Sequence, residues 1–331
     1  MATQETQVLD NIIASRRALL VGGGAALAAL ALTKPAAAAS TVTAYTDNDI
    51  LNFALNLEYL EANFYYLAAF GTNIYTTNSL YPTGAGVMGI SGVGTQGTVV
   101  TKPTTCKVPF TTLQVASYCV ETAIEEGKHV AFLRSALGSA AVAQPQIDLV
   151  TSFNALASLA GIGAAFDPFA SDANFLIGAY IFEDVGVTAY KGAAPLITNK
   201  TTILPAAAGI LAVEAYHAGL VRTTINALDP TGALGLLGYT QKISAVRTGA
   251  AQAATTTKVV DDFGLQNQTV SLSGGSNVTA TTIVDADPTN VIAFSRTTTQ
   301  VLNIVTGGNA VTTGAAAKGV FFPNGLNGLF I

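Results

Sequence analysis

Apolar positions return every three or four residues through "DNDILNFALNLEYLEANFYYLAAF", from Asp47 to about Phe70. That period predicts a helix with a broad buried face, and Thr46 or Asp47 suits its N-cap. The same period predicts helices over about 111–137, ended by Gly138, and over about 146–160. It also predicts one from Ser171 or Asp172 to about Tyr190, and one over about 204–228, stopped by Asp229-Pro230. A shorter helix is expected over about 238–252. Between the first two helices, residues 71–109 lose the period and turn rich in Gly, Thr, Ser and Pro. They read as a long loop with at most a short hairpin, and loops of that length in compact domains are often functional. Beyond Lys258, apolar and polar residues alternate between Gly and Asn turns, which predicts short strands. "SRTTTQVLNIV" reads as one more helix, and "GVFFPNGLNGLFI" as an apolar tail packed on the body. The pattern gives a mainly α fold: a helical body over 40–258 and a small mixed, β-rich extension over 259–331 that caps it.

Composition narrows this picture. Of 331 residues, 50% are apolar and only 11% charged, with a net charge of −5. A sizeable core is available, and no basic surface exists to grip nucleic acid. Residues 1–39 stand apart: Arg16-Arg17 precede an apolar run from Ala18 to about Leu32, then Lys34-Pro35 and an Ala-x-Ala pattern ending near Ala39. This predicts a twin-arginine (Tat-type) signal peptide and an exported protein, periplasmic or extracellular. The run, about fifteen residues and rich in Gly and Ala, is short for a membrane span. No other stretch is expected to span, so no stable membrane anchor is expected after cleavage. Export of a folded chain hints at a bound cofactor. The two cysteines, Cys106 and Cys119, can close a disulfide if the loop folds back onto the second helix.

Four helices carry a carboxylate in an apolar setting, and two also carry a histidine. The first has Glu58 and Glu61, the second Glu126-x-x-His129, the fourth Glu183 and the fifth Glu214-x-x-His217. His129 and His217 are the only histidines in the chain. Residues at i and i+3 share a helix face. A Glu from each of two helices plus Glu-x-x-His from each of two others is an arrangement that binds two iron or manganese ions inside a helical bundle. Two of the glutamates are expected to bridge the ions. An internal repeat accompanies the motif: Glu58 is followed seven residues on by Tyr65, and Glu183 by Tyr190. Each such helix precedes one with Glu-x-x-His, so the chain reads as two helical hairpins of one plan. Tyr65 and Tyr190, two turns from their glutamates, are candidates to bond a ligand or to relay electrons. Their alternative role is that of core aromatics with satisfied hydroxyls. Two ligand assignments stay open. Glu61 competes with Glu58, though the match to Glu183 favours Glu58. Glu125 competes with Glu126, though the repeated spacing favours Glu126. Glu121 and Asp184 read as structural or solvent-facing, and Lys191 as a charge placed well at a helix C-terminus.

At these residues the sequence resembles the ferritin-like superfamily, and within it the exported ferritin-like domain proteins that include the plant desiccation-related group. "LNFALNLEYLEANFYYLAAFG", "FEDVGVTAYKGAAPLI" and "ILAVEAYHAGLVR" carry the resemblance, which covers roughly residues 45–230. It implies an antiparallel four-helix bundle whose matching positions bind iron or manganese. It also implies ferroxidase, peroxidase, catalase or oxygen-activating chemistry somewhere in the superfamily. The export signal, the long first connection and the C-terminal extension depart from cage-forming ferritins. A storage shell is therefore not expected, although a smaller homo-oligomer is compatible.

Two readings of function result. In the first, a carboxylate-bridged di-iron or di-manganese centre acts on peroxide or dioxygen, or oxidises Fe(II), in stress defence. In the second, the bundle is a non-enzymatic stress, desiccation-related or surface protein with structural metal or none.

Overall fold

A computed structural model of the chain describes residues 45–76, 88–253, 259–307 and 318–329. The signal-peptide expectation for residues 1–39 lies outside the described residues. Helix α1 (Asp47–Phe70) begins as the sequence predicts. Thr46 accepts from the Asp49 amide while the Asp49 side chain accepts from Thr46, a reciprocal capping box. Gly71, at φ 76°, ends the helix in the left-handed region, where a Cβ would be costly. Helix α2 (Leu113–Leu137) pairs closely with α1, and α6 (Ile203–Leu228) pairs with α5 (Glu183–Ala193). These pairs are the two hairpins of the bundle. Pro205 falls in the first turn of α6, where its missing N–H removes no helical bond.

The long helix expected over 171–190 is broken. It forms α4 (Asp172–Tyr180) and α5, with tight i→i+3 bonds at Ile181 and Phe182. The carbonyls freed at the break are held by Arg247, whose Nη1 donates to Tyr180 O at 2.6 Å and Ile181 O at 3.4 Å. Arg247 lies on α7 (Leu236–Ala251), nearly seventy residues away, so no local signal announces the break. The helix expected over 146–160 is shorter, α3 (Thr151–Leu159), because Ile147–Asp148 form a strand, β2. β2 pairs in parallel with β1 (Val99–Val100), Val99 opposite Ile147. The described part of the long loop therefore lays a strand beside β2 rather than folding into a hairpin of its own. Phe153 of α3 joins Phe64, Phe169, Phe175 and Phe182 in an aromatic cluster with Phe64 at its centre and ring centroids 5.2–5.8 Å apart. Such pairs contribute roughly 0.5–1.5 kcal/mol each beyond area burial.

Cys106 and Cys119 are both buried free thiols, so the expected disulfide is not formed. Cys119 is turned into the bundle core, its Sγ 4.0 Å from the Tyr65 carbonyl, and burial raises its pKa well above the usual thiol range. Beyond the N-terminal run no membrane span is expected from the sequence. Helix α6 is nevertheless long and apolar enough to cross a membrane by length and composition, because Ala, Ile, Leu and Val raise its mean hydropathy while its Glu214 and His217 turn inward.

The C-terminal region contributes an antiparallel hairpin, β3 (Asn267–Ser271) with β4 (Asn277–Thr281), and helix α8 (Thr298–Thr306). It is fastened to the bundle by buried arginines. Arg222 of α6 and Arg247 both bond Asp184 of α5, at 2.9 and 3.0 Å. Arg247 and Arg296 both reach Asp262, at 2.8 and 3.1 Å, and Arg296 also pairs with Asp261 at 3.1 Å. Removing one partner from such a buried network typically costs about 3–5 kcal/mol, because the other charge is stranded. The extension also crosses α5 at Gly192, where a Cβ would stand 1.8 Å from the Arg296 carbonyl oxygen. The substitution Gly192→Ala is expected to destabilise the chain by about 1–3 kcal/mol through this overlap. In hydrogen exchange, protection should fall first around residues 293–306, with α1 and α2 unaffected.

Candidate metal centre

The inward stripe of each bundle helix is interrupted by acid. Glu58 and Glu61 on α1, Glu126 on α2, Glu183 on α5 and Glu214 on α6 are all buried, three of them to 1% exposure or less besides Glu183 at 1%. His129 and His217 lie between them, their ring centroids 6.4 Å apart. Ligand atoms of Glu58, Glu126, His129 and Glu214 fall within 4.8 Å of one another, and those of Glu126, Glu183 and His217 form a second such group. Glu126 is common to both. Its Oε2 lies 3.3 Å from His129 Nδ1 and its Oε1 lies 2.9 Å from His217 Nδ1. His129 Nδ1 is also 3.3 Å from Glu58 Oε2 and 3.7 Å from Glu214 Oε1, and His217 Nδ1 is 3.5 Å from Glu183 Oε2.

The two tyrosines cross over. Tyr65, on the helix of Glu58, donates its hydroxyl to Glu183, while Tyr190, on the helix of Glu183, donates to Glu58. This reciprocal pairing is the repeat of the sequence made physical. Burial, and then the adjacent Glu183 or Glu58, raises each phenol's pKa well above its ordinary value, so both stay protonated donors. Gly186 makes room for Glu214: a Cβ there would lie 2.2 Å from Glu214 Oε2.

Glu61 is buried but contributes no atom to either group. Glu125 has another place. Its Oε2 accepts from His217 Nε2 at 2.7 Å, on the side of the ring away from the cluster. That bond fixes the ring and leaves Nδ1 facing Glu126 and Glu183, the outer-shell arrangement that strengthens an imidazole ligand. On the sequence Glu125 reads as a rival ligand beside His129. Its partner is the other histidine, on another helix, which only the packing of α2 on α6 reveals. The matching position on α6 is Val213, so the repeat is broken here.

The electrostatics ask for cations. Burial raises the pKa of Glu61 and Glu214 well above the carboxylate range, and the neighbouring glutamates add to it. Glu183 is raised by burial against the pull of His217. Glu58 is pushed up to about 7, burial outweighing the opposing His129. Burial also works against charge on Glu126, yet both histidines hold it lowered. For His129, burial is outweighed by Glu58 and Glu126, which push it up to about 12, and His217 is raised likewise by Glu183, Glu125 and Glu126. Seven buried side-chain atoms make no well-aligned hydrogen bond among the described residues, and six belong to Glu58, Glu126, Glu183, Glu214 and His217; Glu126 Oε1 and His217 Nδ1 are close but not aligned for a hydrogen bond. Unpaired buried acceptors are costly. Here they converge, which suits two cations shared across Glu126. The ordinary donor set of carboxylate and imidazole fits iron or manganese without choosing between them. A third acidic group, Asp184, Asp262 and Asp285, differs in kind: Arg222, Arg247 and Arg296 already neutralise it.

The family described as "Ferritin-like domain" matches residues 46–227, which spans every residue of this cluster. The chain belongs to the ferritin-like family. This ferritin-like protein is also 30% identical over 229 residues to desiccation-related protein PCC13-62 of Craterostigma plantagineum, a match covering 66% of each chain. No solved structure matches.

Two outcomes are expected. Glu125→Gln should leave the fold intact and weaken Mn(II) or Fe(II) affinity by about 10–100-fold, measured by calorimetric titration. Metal binding should release protons, because it requires Glu58 ionised and both imidazoles neutral at Nδ1. Affinity should therefore rise with pH through about pH 7, where Glu58 ionises, and go on rising above it because the histidines are still protonated there, followed with a pH indicator during titration.

Proposed function

We propose that this ferritin-like protein holds two iron or manganese ions between its two helical hairpins and uses them on dioxygen or peroxide, or to oxidise Fe(II). The observation that carries the reading is the convergence of unpartnered buried oxygens and His217 Nδ1 on one volume shared by Glu126. Glu58, Glu126, His129, Glu183, Glu214 and His217 would be the ligands. Held by these residues, such ions would supply the redox equivalents for reaction at an O–O bond. The protein's own groups orient and tune. Tyr65 and Tyr190 keep Glu183 and Glu58 aligned through donated hydrogen bonds, and Glu125 holds the ring of His217. The apolar walls of the bundle exclude bulk water, which strengthens each of these interactions.

The Arg16-Arg17 pattern and the apolar run after it support export, so that this work would be done in the periplasm or beyond. A second reading, a stress protein without turnover, has one observation in its favour: the curated relative is named for desiccation.

Purified after native export, the protein should contain about two iron or manganese ions per chain, the count expected of a paired site. Glu126→Gln combined with Glu214→Gln should abolish that content and any consumption of peroxide or dioxygen, with helix content unchanged. A metal-free protein that also takes up no Fe(II) or Mn(II) in vitro would support the second reading. Replacing Arg16 and Arg17 with lysine should retain the precursor inside the cell, read by fractionation.

A further inference from the structure

A narrow cavity runs from the surface to one side of the cluster. Leu196, 44% exposed, stands at its outer rim, and Glu58 and Glu214, both essentially inaccessible to bulk water, line its inner end. Between them the walls are aliphatic: Leu57 and Ala54 from α1, Ala189 and Ala193 from α5, and Val301 from α8. Its volume is about 40 Å³. At roughly 10–15 Å³ for each water-sized sphere, that is room for about three.

The polar groups of the cavity are unevenly placed. Glu58, Glu61, Tyr190 and Glu214 cluster beside the candidate ligands. Three of their oxygens, Glu58 Oε2 and both of Glu214, lack a hydrogen-bond partner. Farther out, Arg296 touches the wall, but its guanidinium is committed to Asp261, Asp262 and Thr188. Apart from the single hydroxyl of Thr298, a hydrated metal ion would find no uncommitted side-chain donor or acceptor between the surface and the glutamates to replace its water, and shedding that shell in an aliphatic passage is costly. An organic substrate of ordinary size needs several hundred cubic ångströms. Small, uncharged and weakly hydrated molecules meet neither barrier.

We propose that this cavity is a binding and access site for a small uncharged molecule, dioxygen, and that α8 of the C-terminal extension completes its wall. The proposal rests on the di-metal reading and makes it more specific. Dioxygen would arrive on the Glu58–Glu214 side of the centre, while Fe(II) or Mn(II) would load by another route. The extension thereby acquires a role at the site. The Arg296 clamp and the crossing at Gly192 hold Thr298 and Val301 against the bundle, so the passage stays narrow and dry.

The test uses xenon as an inert apolar probe, in crystals of the metal-free full-length protein under xenon pressure. A xenon peak between Leu57, Ala189 and Val301 is expected. Ala189→Leu on the bundle and Val301→Phe on the extension should each remove it. In the Fe(II)-loaded protein the same substitutions should slow oxidation by dioxygen at least several-fold, with Fe(II) stoichiometry unchanged and oxidation by hydrogen peroxide less affected. If one variant fails to fold, the other carries the comparison. No xenon in the wild-type cavity would overturn the proposal. So would a variant that loses xenon but oxidises Fe(II) with dioxygen at the wild-type rate, or one that slows peroxide equally. Xenon bound in a chain that takes up no metal would instead overturn the di-metal reading, and with it the access role.

Discussion

Five glutamates buried in the middle of an apolar bundle set the terms for the rest of this structure. Desolvation alone would protonate most of them, and two imidazoliums cannot balance five carboxylates. No lysine or arginine among the described ion pairs reaches Glu58, Glu126, Glu183 or Glu214. Two divalent ions would supply the missing positive charge. The surrounding features are then understandable as support. Tyr65 and Tyr190 each tie one hairpin's glutamate to the other hairpin, Gly186 yields space to Glu214, and Glu125 turns Nδ1 of His217 inward.

The same problem of buried charge is solved differently a short way along the bundle. Asp184 follows Glu183 in sequence, yet it faces Arg222 and Arg247. One neighbour is neutralised by guanidinium groups fixed in the chain, while the other has no such partner and belongs to a cluster able to hold a cation. The first arrangement fastens the C-terminal extension and the break between α4 and α5. The second creates a site. That contrast separates structural from functional acids more clearly than burial does, since both residues are inaccessible.

Much of this was legible in the sequence. The helical period located α1, α2 and α6 to within a few residues, because their apolar faces are continuous and α1 carries its own capping box, whereas the amides that open α2 are held by distant Asp172. The ferritin-like fold and the gathering of carboxylates with histidine followed from two Glu-x-x-His motifs and the Glu–Tyr repeat. What escaped depends on contacts between distant segments. Arg247 stabilises a break sixty-odd residues upstream, β1 finds its partner across α2, and Glu125 serves a histidine ninety-two positions away. The disulfide expectation failed because an even cysteine count carries no geometry, and Cys119 turned out to face the core.

The most direct test is anomalous diffraction at the iron and manganese edges, on crystals of protein purified after native export. The account predicts two peaks about 3.5–4 Å apart, one among Glu58, His129 and Glu214, the other among Glu183 and His217, with Glu126 between them. A protein lacking both peaks even after soaking in Fe(II) or Mn(II), with the glutamates instead bonded to ordered water, would contradict it.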